Sequence, residues 1–119
     1  IYAWTGSFAE CNVVREAYEL NSPPLLVNGK AEERSLFSLD ADNIILETIK
    51  PAEDGSADMI LRLYESKRMA TRCTLNTTLP FTSACEVDMM EEQPQSLPIQ
   101  SGRIPLNFRP FEIKTLRLK

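Results

Sequence analysis

Asp58-Met59-Ile60-Leu61-Arg62-Leu63-Tyr64-Glu65 and Thr71-Arg72-Cys73-Thr74-Leu75-Asn76-Thr77-Thr78-Leu79 are the stretches that decide the fold. In the first, Met59, Leu61 and Leu63 fall on one side of an extended chain, and Ile60, Arg62 and Tyr64 on the other. In the second, Cys73, Leu75, Thr77 and Leu79 alternate with Arg72, Thr74, Asn76 and Thr78. A sustained period of two is the signature of a strand with one buried face. Outward from this pair the same grammar recurs. Ser35–Leu39 and Asn43–Lys50 (NIILETIK) predict strands, separated by the turn Asp40-Ala41-Asp42. Pro51–Ser56 carries turn chemistry throughout. Ala84–Met90 predicts a strand with Cys85, Val87 and Met89 inward and Glu86 and Asp88 outward; Glu91–Gly102 predicts a polar loop. Arg103–Phe108 and Phe111–Leu118 close the chain. In the last of these, Phe111 and Ile113 have one parity and Leu116 and Leu118 the other, which predicts a bulge at Lys114-Thr115.

The first third reads differently. Ser7-Phe8-Ala9-Glu10 matches a capping box, and Phe8, Cys11, Val14 and Tyr18 recur at helical spacing. A short helix is predicted at about 7–20, stopped by Asn21-Ser22-Pro23-Pro24. Leu25-Leu26-Val27 predicts a short strand ending at Asn28-Gly29. One leading helix followed by strands over about 25–118 gives a mainly β fold: a single domain spanning 1–119, an antiparallel β-sandwich with one short N-terminal helix. No internal repeat is visible.

Composition excludes several functions. The net charge of −4 argues against a nucleic-acid partner or an anionic membrane surface. No run approaches the ~18 apolar residues of a membrane helix. Histidine is absent, which removes the commonest general base and zinc ligand and excludes a Ser-His-Asp or Cys-His nucleophile within this chain. The opening Ile1-Tyr2-Ala3-Trp4 has the character of a segment cut from a longer polypeptide. Cys11, Cys73 and Cys85 form no C-x-x-C motif. A hairpin centred on Pro80–Thr82 would set Cys73 opposite Met89 or its neighbour, so the cysteines are expected to be buried free thiols, as suits a reducing, cytoplasmic compartment.

Chemistry-bearing patterns are sparse. Asp40-Ala41-Asp42-Asn43 opens like a calcium loop but continues with Ile44-Ile45 where a ligand and a glycine belong, so a plain turn is expected. Among Glu47, Glu53, Asp54, Glu65, Glu86, Asp88, Glu91 and Glu92, nothing singles out a facing pair for glycoside hydrolysis. Asn76-Thr77-Thr78 fits a glycosylation sequon but reads as a surface strand. Tyr2, Trp4 and Phe8 cluster near the start and are expected to pack against a neighbouring domain. Arg62 is a charge in an apolar run. It is expected either to pair with a cross-strand carboxylate such as Glu47 or to reach a domain interface or active-site rim, with Tyr64 and Glu65 beside it. Trp4, Phe8, Arg62, Tyr64 and Glu65 are thus the candidates for such contacts; no catalytic or metal-binding residue is assigned.

Asp42–Gly55 (DNIILETIKPAEDG), followed by Met59–Glu65 (MILRLYE), resembles the C-terminal region of glycoside hydrolase family 38 α-mannosidases. Phe108–Leu116 (FRPFEIKTL) resembles the family's final strand, and Ala17–Pro23 (AYELNSP) the segment that enters that region. The LRLYE run is typical of the bacterial and cytosolic branch. The resemblance implies a parent enzyme that is a retaining exo-α-mannosidase, with an Asp nucleophile, a carboxylic acid/base and a zinc ion, all outside this chain. It implies for the chain itself a non-catalytic β-sandwich, inactive alone and free of cofactor. Its expected partner is the catalytic domain of the same polypeptide, and it would meet the α-mannoside substrate through the parent enzyme; a homo-oligomer is an open expectation. The alternative is a free-standing carbohydrate-binding sandwich.

Overall fold

The computed structural model describes residues 1–30 and 32–119, and the chain divides into two units, Ile1–Arg34 and Ser35–Lys119. In the first unit, a 3₁₀ turn at Phe8–Glu10 precedes helix α1 at Val13–Asn21. The predicted continuous helix is broken because Cys11 is extended, with ψ 161°. The capping signal is used by the 3₁₀ turn: Glu10 Oε2 accepts hydrogen bonds from Ser7 N–H (2.9 Å) and Oγ–H (2.8 Å). Leu25-Leu26-Val27 is not a strand; it is irregular and almost fully exposed.

The second unit holds β1 (Phe37–Leu39), β2 (Ile44–Pro51), β3 (Met59–Glu65), β4 (Thr71–Thr77), β5 (Ala84–Val87), β6 (Gln95–Leu97), β7 (Arg103–Phe108) and β8 (Ile113–Leu118). They form two antiparallel sheets, one in the order β1-β4-β7 and one in the order β2-β3-β8-β5-β6. The alternation in β3 and β4 does what the sequence predicts. Leu61, Leu63, Leu116 and Leu118 from the larger sheet meet Leu75, Ile104, Leu106 and Phe108 from the smaller in one core. Each such side chain withdrawn from water contributes roughly 1.5–3 kcal/mol, which makes this interlayer the main source of stability.

Four further expectations are corrected. First, β8 pairs with β3 and β5 in unbroken register, so it has no bulge; the parity conflict ends with Ile113 on the outer face. The bulge lies in β2, where Leu46 pairs with Leu63 but Thr48 pairs with Arg62, and Glu47 is the extra residue. Second, β5 is inverted. Ala84 and Glu86 stand opposite the core residues Leu118 and Leu116, so Cys85 and Val87 face outward. Glu86 meets Lys114, whose Nζ lies 2.8 Å from its Oε1 and 5.7 Å from the Phe108 ring centroid. Third, the polar loop contains β6. Fourth, Cys73 faces Leu106, because β4 and β5 belong to different sheets.

Ile60 explains the β5 inversion in part, because the outer face of the larger sheet is also covered. Ile60 points away from the core yet is fully buried between Lys50 and Arg117. Arg117 Nε binds Asp58 (2.5 Å) and its Nη2 binds Asp54 (2.6 Å), which ties down the β2–β3 loop. Lys50 Nζ binds Glu91 (2.5 Å), and Arg62 Nη2 donates to the Met89 carbonyl (3.2 Å). The segment 88–92 is therefore strapped across this face, shaped by Asp88 Oδ1 accepting from Met90 and Glu92 N–H, each at 2.9 Å.

Gly102 closes the tight turn before β7 at φ +73°, and a Cβ there would collide with the Thr77 carbonyl oxygen. Gly55 has nearly the same φ, +74°, with open space around it. Urea unfolding of Gly102→Ala is expected to show a loss exceeding that of Gly55→Ala by about 1–3 kcal/mol. Equal losses would mean that the turn, and not the close approach to Thr77, sets the requirement.

Candidate functional site

The alternation that carries β3 ends on a charge. Glu65 is the last residue of the strand, and only 1% of it is exposed. A carboxylate there demands donors, and the neighbouring turns supply them. Its Oε1 accepts from Asn43 Nδ2–H (2.9 Å) and Lys67 N–H (2.7 Å), and its Oε2 from Phe111 N–H (2.9 Å). The backbone N–H of Met69 adds to the influences that favour its charged form. Asn43 extends the knot to the other sheet by donating to Thr71 Oγ1 (2.6 Å), while its carbonyl accepts from Ser66 N–H (2.9 Å) and Oγ–H (3.0 Å). Burial is the largest influence on Glu65 and raises its pKa, but the donors together outweigh it and hold the carboxyl below its ordinary 4.5.

Two turns thus converge on one carboxylate. In the first, Arg68 takes a left-handed φ of 60°. In the second, Glu112 N–H closes on the Arg109 carbonyl (3.1 Å), Pro110 presets the first central position, and Phe111 sits at φ 58°. Glu112 clamps this turn: its Oε2 accepts Arg109 N–H (2.7 Å) and its Oε1 pairs with the Arg109 guanidinium (2.9 Å). The turns display Met69, 51% exposed, and Phe111, 58% exposed. Beside them, the outer face of the larger sheet carries the row Ile45, Tyr64 and Ile113, with Tyr64 paired to both neighbours and Ile113 58% exposed.

The candidates read from the sequence therefore separate. Arg62, Tyr64 and Glu65 share β3, but Arg62 and Tyr64 face outward and Glu65 is enclosed at the strand end. Arg62 does not pair with Glu47. The bulge sets Thr48 opposite Arg62, the guanidinium reaches the Met89 carbonyl, and its Nε is buried without a hydrogen bond. Trp4 and Phe8 lie in the first unit, both half-exposed, with the Trp4 ring stacked on Tyr2 at 5.9 Å between centroids. Sequence reasoning missed Phe111, Met69 and Asn43. The signal for Phe111 was the Pro110-Phe111 pair, a turn with a bulky residue where glycine is usual; nothing local marked Asn43.

The carboxylates at this end are committed to holding turns. Glu65 is surrounded by donors that favour its charged form, the opposite of what a general acid requires. The Cys73 thiol is pushed up to about 11, first by burial and then by the charge of Asp40, so it is no nucleophile at neutral pH. Among the described residues, no three His, Cys, Asp or Glu side chains are grouped to hold a metal ion. Asp40 is a turn residue whose Oδ1 accepts Thr74 N–H at 2.6 Å. On the smaller sheet, a shallow depression of about 480 Å³ is lined by Thr74, Pro98, Gln100, Ser101, Arg103 and Pro105, a lining without an aromatic ring on which a sugar would stack.

Comparison with known proteins bears on the whole chain. Residues 43–116 match the family described as the glycosyl hydrolases family 38 C-terminal beta sandwich domain. Alpha-mannosidase 2C1 of Mus musculus is 37% identical over 121 residues, covering 95% of this chain. Alpha-mannosidase 2C1 of Homo sapiens is 33% identical over the same share, and alpha-mannosidase G of Dictyostelium discoideum is 33% identical over 98%. The chain spans about 12% of the length of each of these relatives.

Because the Glu65 pKa is depressed in the folded state, its contribution to stability is fully present above its unfolded value near 4.5 and is lost as the pH falls through the folded value. Glu65→Gln is expected to cost about 2–4 kcal/mol at neutral pH, since an amide cannot accept from all these donors. Chemical unfolding of both proteins from pH 7 down to ~3 is expected to show this difference shrinking as the wild-type carboxylate protonates. A difference independent of pH would remove the charge from the account.

Proposed function

The chain belongs to the glycosyl hydrolase family 38 C-terminal beta sandwich domains, and from that premise we propose that it is the non-catalytic C-terminal sandwich of an α-mannosidase. In this reading it packs on a catalytic part encoded in the same polypeptide and shapes the surroundings of the active site. That part removes terminal α-mannosyl residues with retention of configuration, using a zinc ion held outside this chain. The relatives named above are alpha-mannosidases, and this chain corresponds to about 12% of each.

The observation that carries the reading is the use made of the acidic side chains. Glu65 and Glu112 organise turns, Glu86 meets Lys114, Glu91 holds the strap, and Asp54 and Asp58 bind Arg117. Asp54 is held well below the usual carboxylate range by Ser56 N–H and then Arg117. These carboxylates are tied to structural donors and are suited to scaffolding, not to passing protons to a glycosidic oxygen. A cytoplasmic setting accords with the free thiols of Cys11, Cys73 and Cys85.

The test is turnover of an aryl α-mannoside by two purified proteins: the polypeptide that carries this chain at its C-terminal end, and the chain alone. Hydrolysis is expected from the first and none from the second. Hydrolysis by the 119-residue chain, or an inert longer polypeptide, would overturn the reading.

A further inference from the structure

The Glu65 knot holds two turns in an arrangement that the sandwich does not need for its own core. Phe111 occupies a left-handed position that glycine would fill without strain, and its side chain is turned to water. Arg68 is left-handed as well, and Met69 beside it is half-exposed. A buried carboxylate ties both turns, because the N–H groups of Lys67 and Phe111 converge on it. On the same outer face, the fold encloses Ile60 under Lys50, Arg117 and the loops they bind. At the Phe111 end, Ile113 and Phe111 stay open.

We propose that Phe111, Met69 and Ile113 form the surface by which this sandwich seats on the larger, preceding part of its polypeptide, in an apolar recess rimmed by a carboxylate that pairs with Arg68. The inference rests on the reading given under Proposed function and names the face that it uses. Two observations select the occupant. The chain amounts to about 12% of its relatives' length, so most of such a polypeptide lies outside it. Charge opposes a second copy. Lys67 is paired with Asp42 and Arg109 with Glu112, but Arg68 has no carboxylate partner among the described residues. A symmetric contact would bring two uncompensated Arg68 cations together.

Methionine oxidation reads the surface without altering it. Met90, on the strap, is 78% exposed and serves as the internal reference. Peroxide treatment of the longer polypeptide, followed by peptide mass spectrometry, is expected to oxidise Met69 at least ~5-fold more slowly than Met90, whereas the two rates are similar in the 119-residue chain. Comparable rates in a longer polypeptide that hydrolyses an aryl α-mannoside would overturn this inference and leave the reading of function intact. A longer polypeptide without that activity would overturn the reading, and this inference with it. Protection of Met69 in the chain alone, accompanied by self-association, would overturn it in favour of a second copy. Phe111→Gly supplies an independent arm. It relieves the backbone, so the chain alone is expected to melt no lower than wild type, while the longer polypeptide loses ~3 °C or more. An unchanged longer polypeptide would overturn the inference.

Discussion

A carboxylate shut away from water must be surrounded by donors or it will not stay charged, and that requirement at Glu65 organises one end of this sandwich. The core interlayer would hold two sheets together in many relative arrangements. Glu65 removes that freedom locally. Through Asn43 it links the start of β2 to Thr71 at the start of β4, so the knot bridges both sheets. Through the N–H groups of Lys67 and Phe111 it fixes the β3–β4 and β7–β8 connections. The hydrophobic term supplies most of the stabilisation and little of the specificity; the polar knot has the reverse balance.

Much of the sandwich was legible because β4 and β7 each have one apolar face and a polar or solvated opposite face. Parity alone then decides which residues enter the core. The reading failed where that premise failed. Both faces of β5 hold a buried residue, Ala84 on the core side and Val87 on the outer side, so alternation could not say which set faced the core. Glu86 could face the core side because Lys114 and the open rim of the layer satisfy it. The bulge at Glu47 shifts partners without changing the hydrophobic pattern, so a cross-strand pairing inferred by counting was bound to miss it. Ile113 seemed to require a bulge only under the assumption that every apolar strand residue is buried.

The candidate site was partly legible for a related reason. Arg62, Tyr64 and Glu65 drew attention because charge and aromaticity interrupt an apolar strand. What they do depends on residues far away in sequence: Met89 for Arg62, and Asn43 and Phe111 for Glu65. Local patterning places a charged group on a strand but not its partners, since the ligands of a buried group are assembled by topology. Phe111 was marked only by its contradiction of turn preference, a bulky residue after Pro110 at a position suited to glycine.

The first unit brings the same physics to the opposite outcome. Leu25-Leu26-Val27 reads as a strand because apolar runs are ordinarily buried, and here they remain in water along with Leu20. Helix α1 has no buried residue, although its apolar positions recur with helical spacing. An amphipathic element is legible from sequence whether or not its cover is present; burial is a property of the helix and its neighbour together. The same holds for Phe111 and Ile113 in the second unit. The residues that defeated the rule of apolar-equals-buried are therefore not random failures of pattern reading. They are apolar positions whose burial this chain by itself does not supply.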